Sequence, residues 1–175
     1  MGTKPAELNT PGIYDASQFS KLQLTPAVQI VEGLFHEEET VLWAGAFAAG
    51  KTMAALQLTI CLATGKPYLG RKVARPYRVA LLDFENGPRT MLSRYTKQKE
   101  GLQLTAAEEE LLSENWHYVD GGEETNDLFA LKLIAAESWA RLAKFLEDNP
   151  AEVVIIDNLG LVFPSETTAG PTHLN

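Results

Sequence analysis

Thr40-Val41-Leu42-Trp43-Ala44-Gly45-Ala46-Phe47-Ala48-Ala49-Gly50-Lys51-Thr52 is the stretch on which the fold turns. From Gly45 onward it spells G-x-x-x-x-G-K-[ST], the phosphate-binding P-loop. Each position has a chemical reason. Gly45 and Gly50 let the backbone curl so that successive N–H groups point at a polyphosphate. Ala46, Phe47, Ala48 and Ala49 complete the cradle between them. Lys51 is placed to reach the β- and γ-phosphates, and the Thr52 hydroxyl to ligate Mg²⁺. A helix starting at the motif adds the positive end of its dipole to the same site.

The flanks supply the strand and helix that the motif requires. Thr40 to Ala44 is short, apolar and β-prone, and Thr52 to Ala63 is helix-prone with Thr64-Gly65 as its stop. Moving outward, Tyr77 to Phe84 is a nearly continuous apolar run, suited to a strand covered on both faces. Trp116 to Val119 and Glu152 to Asp157 are further strand candidates. Helical patterns fall between them at Pro88 to Lys99, from the capping-box-like Thr105-Ala106-Ala107-Glu108, and at Leu133 to Leu146. Asp15 to Leu22 reads as a short capped helix, and Ile30 to Phe35 as an ordered loop or short strand beside the P-loop strand. Strands alternating with helices predict an α/β, three-layer αβα core with a mostly parallel sheet. The expected organisation is a flexible lead-in over 1–25 and one core over 26–175.

Ligands of such sheets bind at the carboxyl ends of the strands, where the P-loop, Asp83–Glu85 and Asp157 all fall. Val153-Val154-Ile155-Ile156-Asp157 is the Walker B pattern, with the Asp157 carboxylate expected to hold Mg²⁺ opposite Thr52. Hydrolysis also needs a group that orients or deprotonates water. The residue after Asp157 is Asn158, so Glu85 is the candidate base, with capping of the helix near Pro88 as its plainer role. Asp83 competes for that task but reads as part of the strand end. Asn158 could sense a water or phosphate.

Other residues read as structural. His36, His117 and His173 lack metal-ligand spacing, and Trp43 and Trp116 are expected in the core. Tyr68 and Arg71 could approach a base or a neighbouring subunit, with a solvated loop as the plainer reading. The single cysteine, Cys61, excludes an internal disulfide framework and suits a small buried apolar position. The formal net charge of −8 argues against a chain coated for indiscriminate nucleic-acid binding. No long uncharged apolar stretch predicts a membrane span and no signal-type leader is visible, which together point to the cytoplasm.

The P-loop, Leu56 to Gly65, the Leu69-Gly70-Arg71 turn, Val79 to Glu85 and Val154 to Leu159 together resemble the RecA-like ATPases. Within them they are similar to the RepA-type branch of plasmid and phage replicative helicases, whose "xGL" turn before the P-loop strand matches Gly33-Leu34. The resemblance spans roughly residues 25–160. It implies ATP hydrolysis with Mg²⁺, a catalytic Glu after the second core strand at Glu85, a homo-oligomeric, usually hexameric ring, and single-stranded DNA in its channel. Two departures stand out. Ala46 to Ala49 lacks the extra Gly, Pro or Ser common there, and the chain stops at Asn175, inside what resembles the first DNA-contacting loop, so a truncated core is expected. A small-molecule P-loop kinase and a nucleotide-binding module without turnover are the competing classes. Kinases of this size usually carry an Arg-rich lid after the core, and no such cluster is visible in the sequence.

Overall fold

Val79-Ala80-Leu81-Leu82-Asp83 forms the middle strand of the sheet, and every one of its residues is buried. The computed structural model describes residues 13–23, 26–46, 48–121 and 136–157. Numbering in chain order, the strands are β1 (Gln29–Val31), β2 (Phe35–His36), β3 (Val79–Asp83), β4 (Trp116–Asp120) and β5 (Val153–Asp157). The helices are α1 (Ala16–Phe19), α2 (Lys51–Thr64), α3 (Pro88–Leu102), α4 (Ala106–Asn115) and α5 (Ala136–Asp148). The main sheet is parallel, in the order β4-β3-β5.

The alternation of side chains along β3 builds the three layers. Val79 and Leu81 face one way, into clusters with Leu58, Cys61 and Leu62 and with Leu56, Ile60, Met91 and Leu112. Ala80 and Leu82 face the other way, against Val119, Leu142, Phe145 and Leu146. Helices α2, α3 and α4 therefore cover one face and α5 the other. This explains why β3 is apolar without interruption: neither face meets water. The fold is α/β, of the αβα type expected from the alternation of elements.

Helix α2 is the central prop. It buries Leu56, Leu58, Ile60, Cys61 and Leu62, and it ends at Gly65 in the left-handed region at φ 76°. Thr59 and Thr64 sit inside its apolar surround without penalty, because each hydroxyl donates to the carbonyl one turn back, Ala55 O at 2.9 Å and Ile60 O at 2.8 Å. Cys61 is fully buried, and burial pushes its thiol up to about 11. It is a packing residue.

Both expected caps form. Thr105 and Glu108 make a reciprocal capping box at the start of α4, and Asp15 and Gln18 make one for α1. Glu108 also meets Lys66 at 3.0 Å. Its carboxyl is held below the usual range by the Thr105 backbone N–H and then by Lys66.

Three expectations change. Thr40 to Ala44 is not a strand; it runs as irregular chain beside β5, which is an edge strand among the described residues. A cavity of about 580 Å³, lined by Val41, Leu42, Trp43, Val154 and Ile155 among others, separates the two. Strand identity comes from a hydrogen-bonded neighbour, which local propensity cannot supply. For the same reason Trp43 is not a core residue: it stands at the exposed margin, with Phe35 as a tilted ring partner at 6.0 Å. Tyr68 and Arg71, by contrast, are built into the fold. Tyr68 is buried, and Arg71 Nη1 donates to Glu32 O at 3.1 Å, tying the 68–71 turn to the β1–β2 hairpin. Phe47, Asn158, the lead-in 1–12, Leu133 and the 165–170 segment lie outside the described residues.

Candidate functional site

The parallel register brings the last residues of the strands into one row. Asp83 is the cross-strand partner of Asp120 on one side and of Asp157 on the other. The three aspartates therefore occupy matching register positions at the carboxyl edge, on neighbouring strands about 4.8 Å apart. Glu85 follows two residues beyond β3, and the start of α2 approaches the same edge at Asp157.

The described P-loop residues on either side of Phe47 turn sharply into α2. Gly50 is left-handed at φ 84° and serves as the N-cap of α2 with no side-chain cap, which leaves the first-turn N–H groups for an outside acceptor. Ala48 is also left-handed, at φ 58°, a conformation that costs a residue with a Cβ about 1–2 kcal/mol. This is where the absent extra glycine registers. Lys51 Nζ donates to Gly45 O at 3.1 Å and Ala46 O at 3.0 Å, so its ammonium lies against the loop it follows.

Thr52, at the start of α2, lies near enough to the Asp157 carboxylate at the end of β5 to help hold its pKa down. Burial is the main influence raising the Asp157 pKa. The nearby Thr52 hydroxyl opposes it, the charges of Asp83 and Glu85 add to it, and the Arg94 charge offsets it. Asp157 Oδ2 is buried and has no hydrogen-bond partner among the described residues. An orphaned carboxylate oxygen beside a threonine hydroxyl is a pair of hard donors of the kind Mg²⁺ takes, with substrate phosphates and water completing its shell. Among the described residues no group of three metal-ligating His, Cys, Asp or Glu side chains assembles.

Asp83 is fully buried and saturated with donors. Its Oδ1 accepts from the backbone N–H of Glu85 at 3.1 Å, that of Asn86 at 2.9 Å and Asn86 Nδ2 at 3.2 Å. Its Oδ2 accepts from Tyr118 OH at 3.1 Å. Burial first, then the Asp83 and Asp120 charges, push the Tyr118 hydroxyl well above its ordinary value, so it stays a donor. Glu85 itself is exposed at the edge. The N-cap of α3 is Gly87, not Glu85, so the capping role does not apply.

This geometry, a left-handed P-loop leading into α2 with Lys51, Thr52, Asp157 and Glu85 gathered at one sheet edge, accompanies a family match over nearly the whole chain. Residues 4–171 match the AAA domain family model. The chain belongs to the AAA domain family. It is thus an ATP-binding P-loop ATPase domain. Comparison with curated proteins and with solved structures returned no match. No helix among the described residues of this AAA domain is long and apolar enough to cross a membrane.

Sequence reasoning brought forward Lys51, Thr52, Glu85 and Asp157, and the fold places them on the same edge. It missed Asn86, Arg94 and Tyr118. Asn86 adjoins Glu85 and could have been suspected as a turn residue. Arg94 lies on α3, and Tyr118 reaches Asp83 only through the β3–β4 register, so neither had a local signal. Gly121 was also missed. A Cβ there would meet the Phe84 ring at 2.5 Å and Asp83 O at 2.9 Å.

Proposed function

We propose that this chain is a RecA-like motor ATPase domain that binds and hydrolyses ATP, of the RepA-type helicase kind or a related DNA replication or recombination ATPase. The observation that carries the reading is the convergence on one sheet edge of the P-loop lysine, the Thr52–Asp157 pair and the Glu85 turn. Backbone N–H groups of Gly45 to Thr52 cradle the phosphates, and Lys51 leaves its loop carbonyls to neutralise the β- and γ-phosphate charge. Thr52 and Asp157 would hold Mg²⁺, which when bound would spread the charge of the phosphates. Glu85 orients and deprotonates the attacking water. In the complete assembly the domain works in a homo-oligomeric ring, usually a hexamer, around single-stranded DNA. With a net charge of −8, DNA contact is confined to a local basic lining rather than spread over the surface.

The test is ATP turnover by wild type and Glu85→Gln, with and without single-stranded DNA, alongside nucleotide affinity. The variant should bind ATP as wild type does and lose at least about 10²-fold in turnover, the scale of a lost general base. DNA should stimulate the wild type. Unchanged hydrolysis by Glu85→Gln removes Glu85 from its role. Phosphate transfer to a metabolite instead of water indicates a kinase, and binding without turnover a regulatory module.

A further inference from the structure

The backbone at the end of β3 is held by its neighbours as far as Phe84. Phe84 N–H donates to Asp157 O at 2.6 Å, and Gly121 N–H donates to Asp83 O at 2.7 Å. Beyond that point the chain leaves the sheet, and the N–H groups of Glu85 and Asn86 turn back onto one oxygen, Asp83 Oδ1. Two backbone donors on a single buried acceptor leave the turn little freedom in φ and ψ. The Asn86 side chain adds a third donor to the same oxygen, and its own Oδ1 accepts from Arg94 Nη1 at 2.7 Å. The amide thus has a defined sense, nitrogen toward the carboxylate and oxygen toward the guanidinium.

Helix α3, which carries Arg94, begins at Gly87 without a side-chain cap. The Arg94–Asn86 bond ties the body of that helix to the turn that precedes it. A hydrogen bond from a charged donor is about twice as strong as a neutral one, so this tie is a firm one.

We propose that Asn86 and Arg94 are positioning residues that, through Asp83, fix the turn presenting Glu85 at the nucleotide edge. The turn's rigidity stands on the hydrogen bonds alone; its consequence for turnover rests on the ATPase reading above. In that reading Glu85 must hold a water in line with the γ-phosphate, and misplacement by about 1 Å costs on the order of 10²-fold in rate.

The test compares wild type with Asn86→Leu, which removes both ends of the amide, Arg94→Met, which keeps the aliphatic stem, and Arg94→Lys, which keeps the charge. Backbone amide exchange by NMR is read at Glu85 and Asn86, with Leu81 and Ile155 as sheet controls, and turnover and nucleotide affinity are measured on the same samples. In Asn86→Leu and Arg94→Met, exchange at Glu85 and Asn86 should quicken about tenfold, the scale of one lost charge-assisted hydrogen bond, with Leu81 and Ile155 unchanged. Turnover should fall roughly 10–100-fold while nucleotide affinity stays within about twofold, and Arg94→Lys should recover part of the loss. The double variant should be no worse than Asn86→Leu, because both act along one chain of bonds. Unaltered exchange at Glu85 in both single variants overturns the proposal. So does weakened nucleotide binding in Arg94→Met but not in Asn86→Leu, which would put Arg94 on the nucleotide itself. A wild type without turnover whose variants show the expected exchange removes the ATPase reading and leaves the positioning relay standing.

Discussion

Gly121→Ala places one methyl group at the tightest junction of the candidate site. The added Cβ would lie 2.5 Å and 2.8 Å from two carbons of the Phe84 ring and 2.9 Å from Asp83 O. Cβ contacts do not come that close, so either the ring or the backbone must move. The ring is packed against the cluster around Ala80, Leu82 and Val119 and has little room. The backbone oxygen is the acceptor for the Gly121 N–H at 2.7 Å, so moving it strains the bond that joins β4 to β3. Overpacking costs about 1–3 kcal/mol. A compromised hydrogen bond adds about 1 kcal/mol. Together they amount to about 2–4 kcal/mol, a drop in melting temperature of roughly 4–16 °C for a chain of this size. Gly101→Ala in α3 is the control, because nothing lies within 4 Å of its added Cβ. It should stabilise by about 0.5–1 kcal/mol through helix propensity. The assay is thermal unfolding by circular dichroism, with turnover measured below the transition. If Gly121→Ala melts with wild type, the junction has room for a methyl group and does not anchor the Glu85 turn.

Ala48→Gly should raise stability by about 0.5–1 kcal/mol, since relief of the left-handed strain at φ 58° exceeds the entropy added to the unfolded chain. A destabilised variant in urea unfolding would show that Ala48 sits there without strain. Glu152 accepts from the Arg78 backbone N–H and pairs with Arg75 at 2.8 Å, which hold its carboxyl below the usual range against the effect of burial. Its contribution is therefore full above the ordinary carboxylate pKa of about 4.3 and is lost as the pH falls through the lower folded value. Glu152→Gln should accordingly lose less stability than wild type between about pH 6 and pH 3. Parallel losses in urea titrations at the two ends of that range would contradict the assignment.

What the sequence made legible was whatever is carried by contiguous residues. The P-loop motif, which the family match reflects, the apolar run ending in Asp157, the capping box at Thr105 and the stop at Gly65 are each written within a few positions, and the last three form as elements of the fold. The run Thr40 to Ala44 shows the limit: its composition suits a strand, but a strand needs an edge to pair with, and the edge of β5 lies across an open groove. Tyr68 shows another. A loop rich in Pro and Gly looks solvated, yet its aromatic ring is drawn into the core between α2 and the β1–β2 hairpin. At the site, Glu85 could be placed because it follows β3 directly. Arg94 and Tyr118 could not, because their proximity to that turn depends on the pitch of α3 and the register of β4.

Calorimetric titration of wild type and Lys51→Ala with ATP in the presence of Mg²⁺ tests the central claim most directly. Wild type should show saturable one-site binding and Lys51→Ala at least about tenfold weaker binding, since the ammonium pairs with phosphate charge inside a backbone cradle. Equal binding by both proteins, or no binding by wild type, would contradict it.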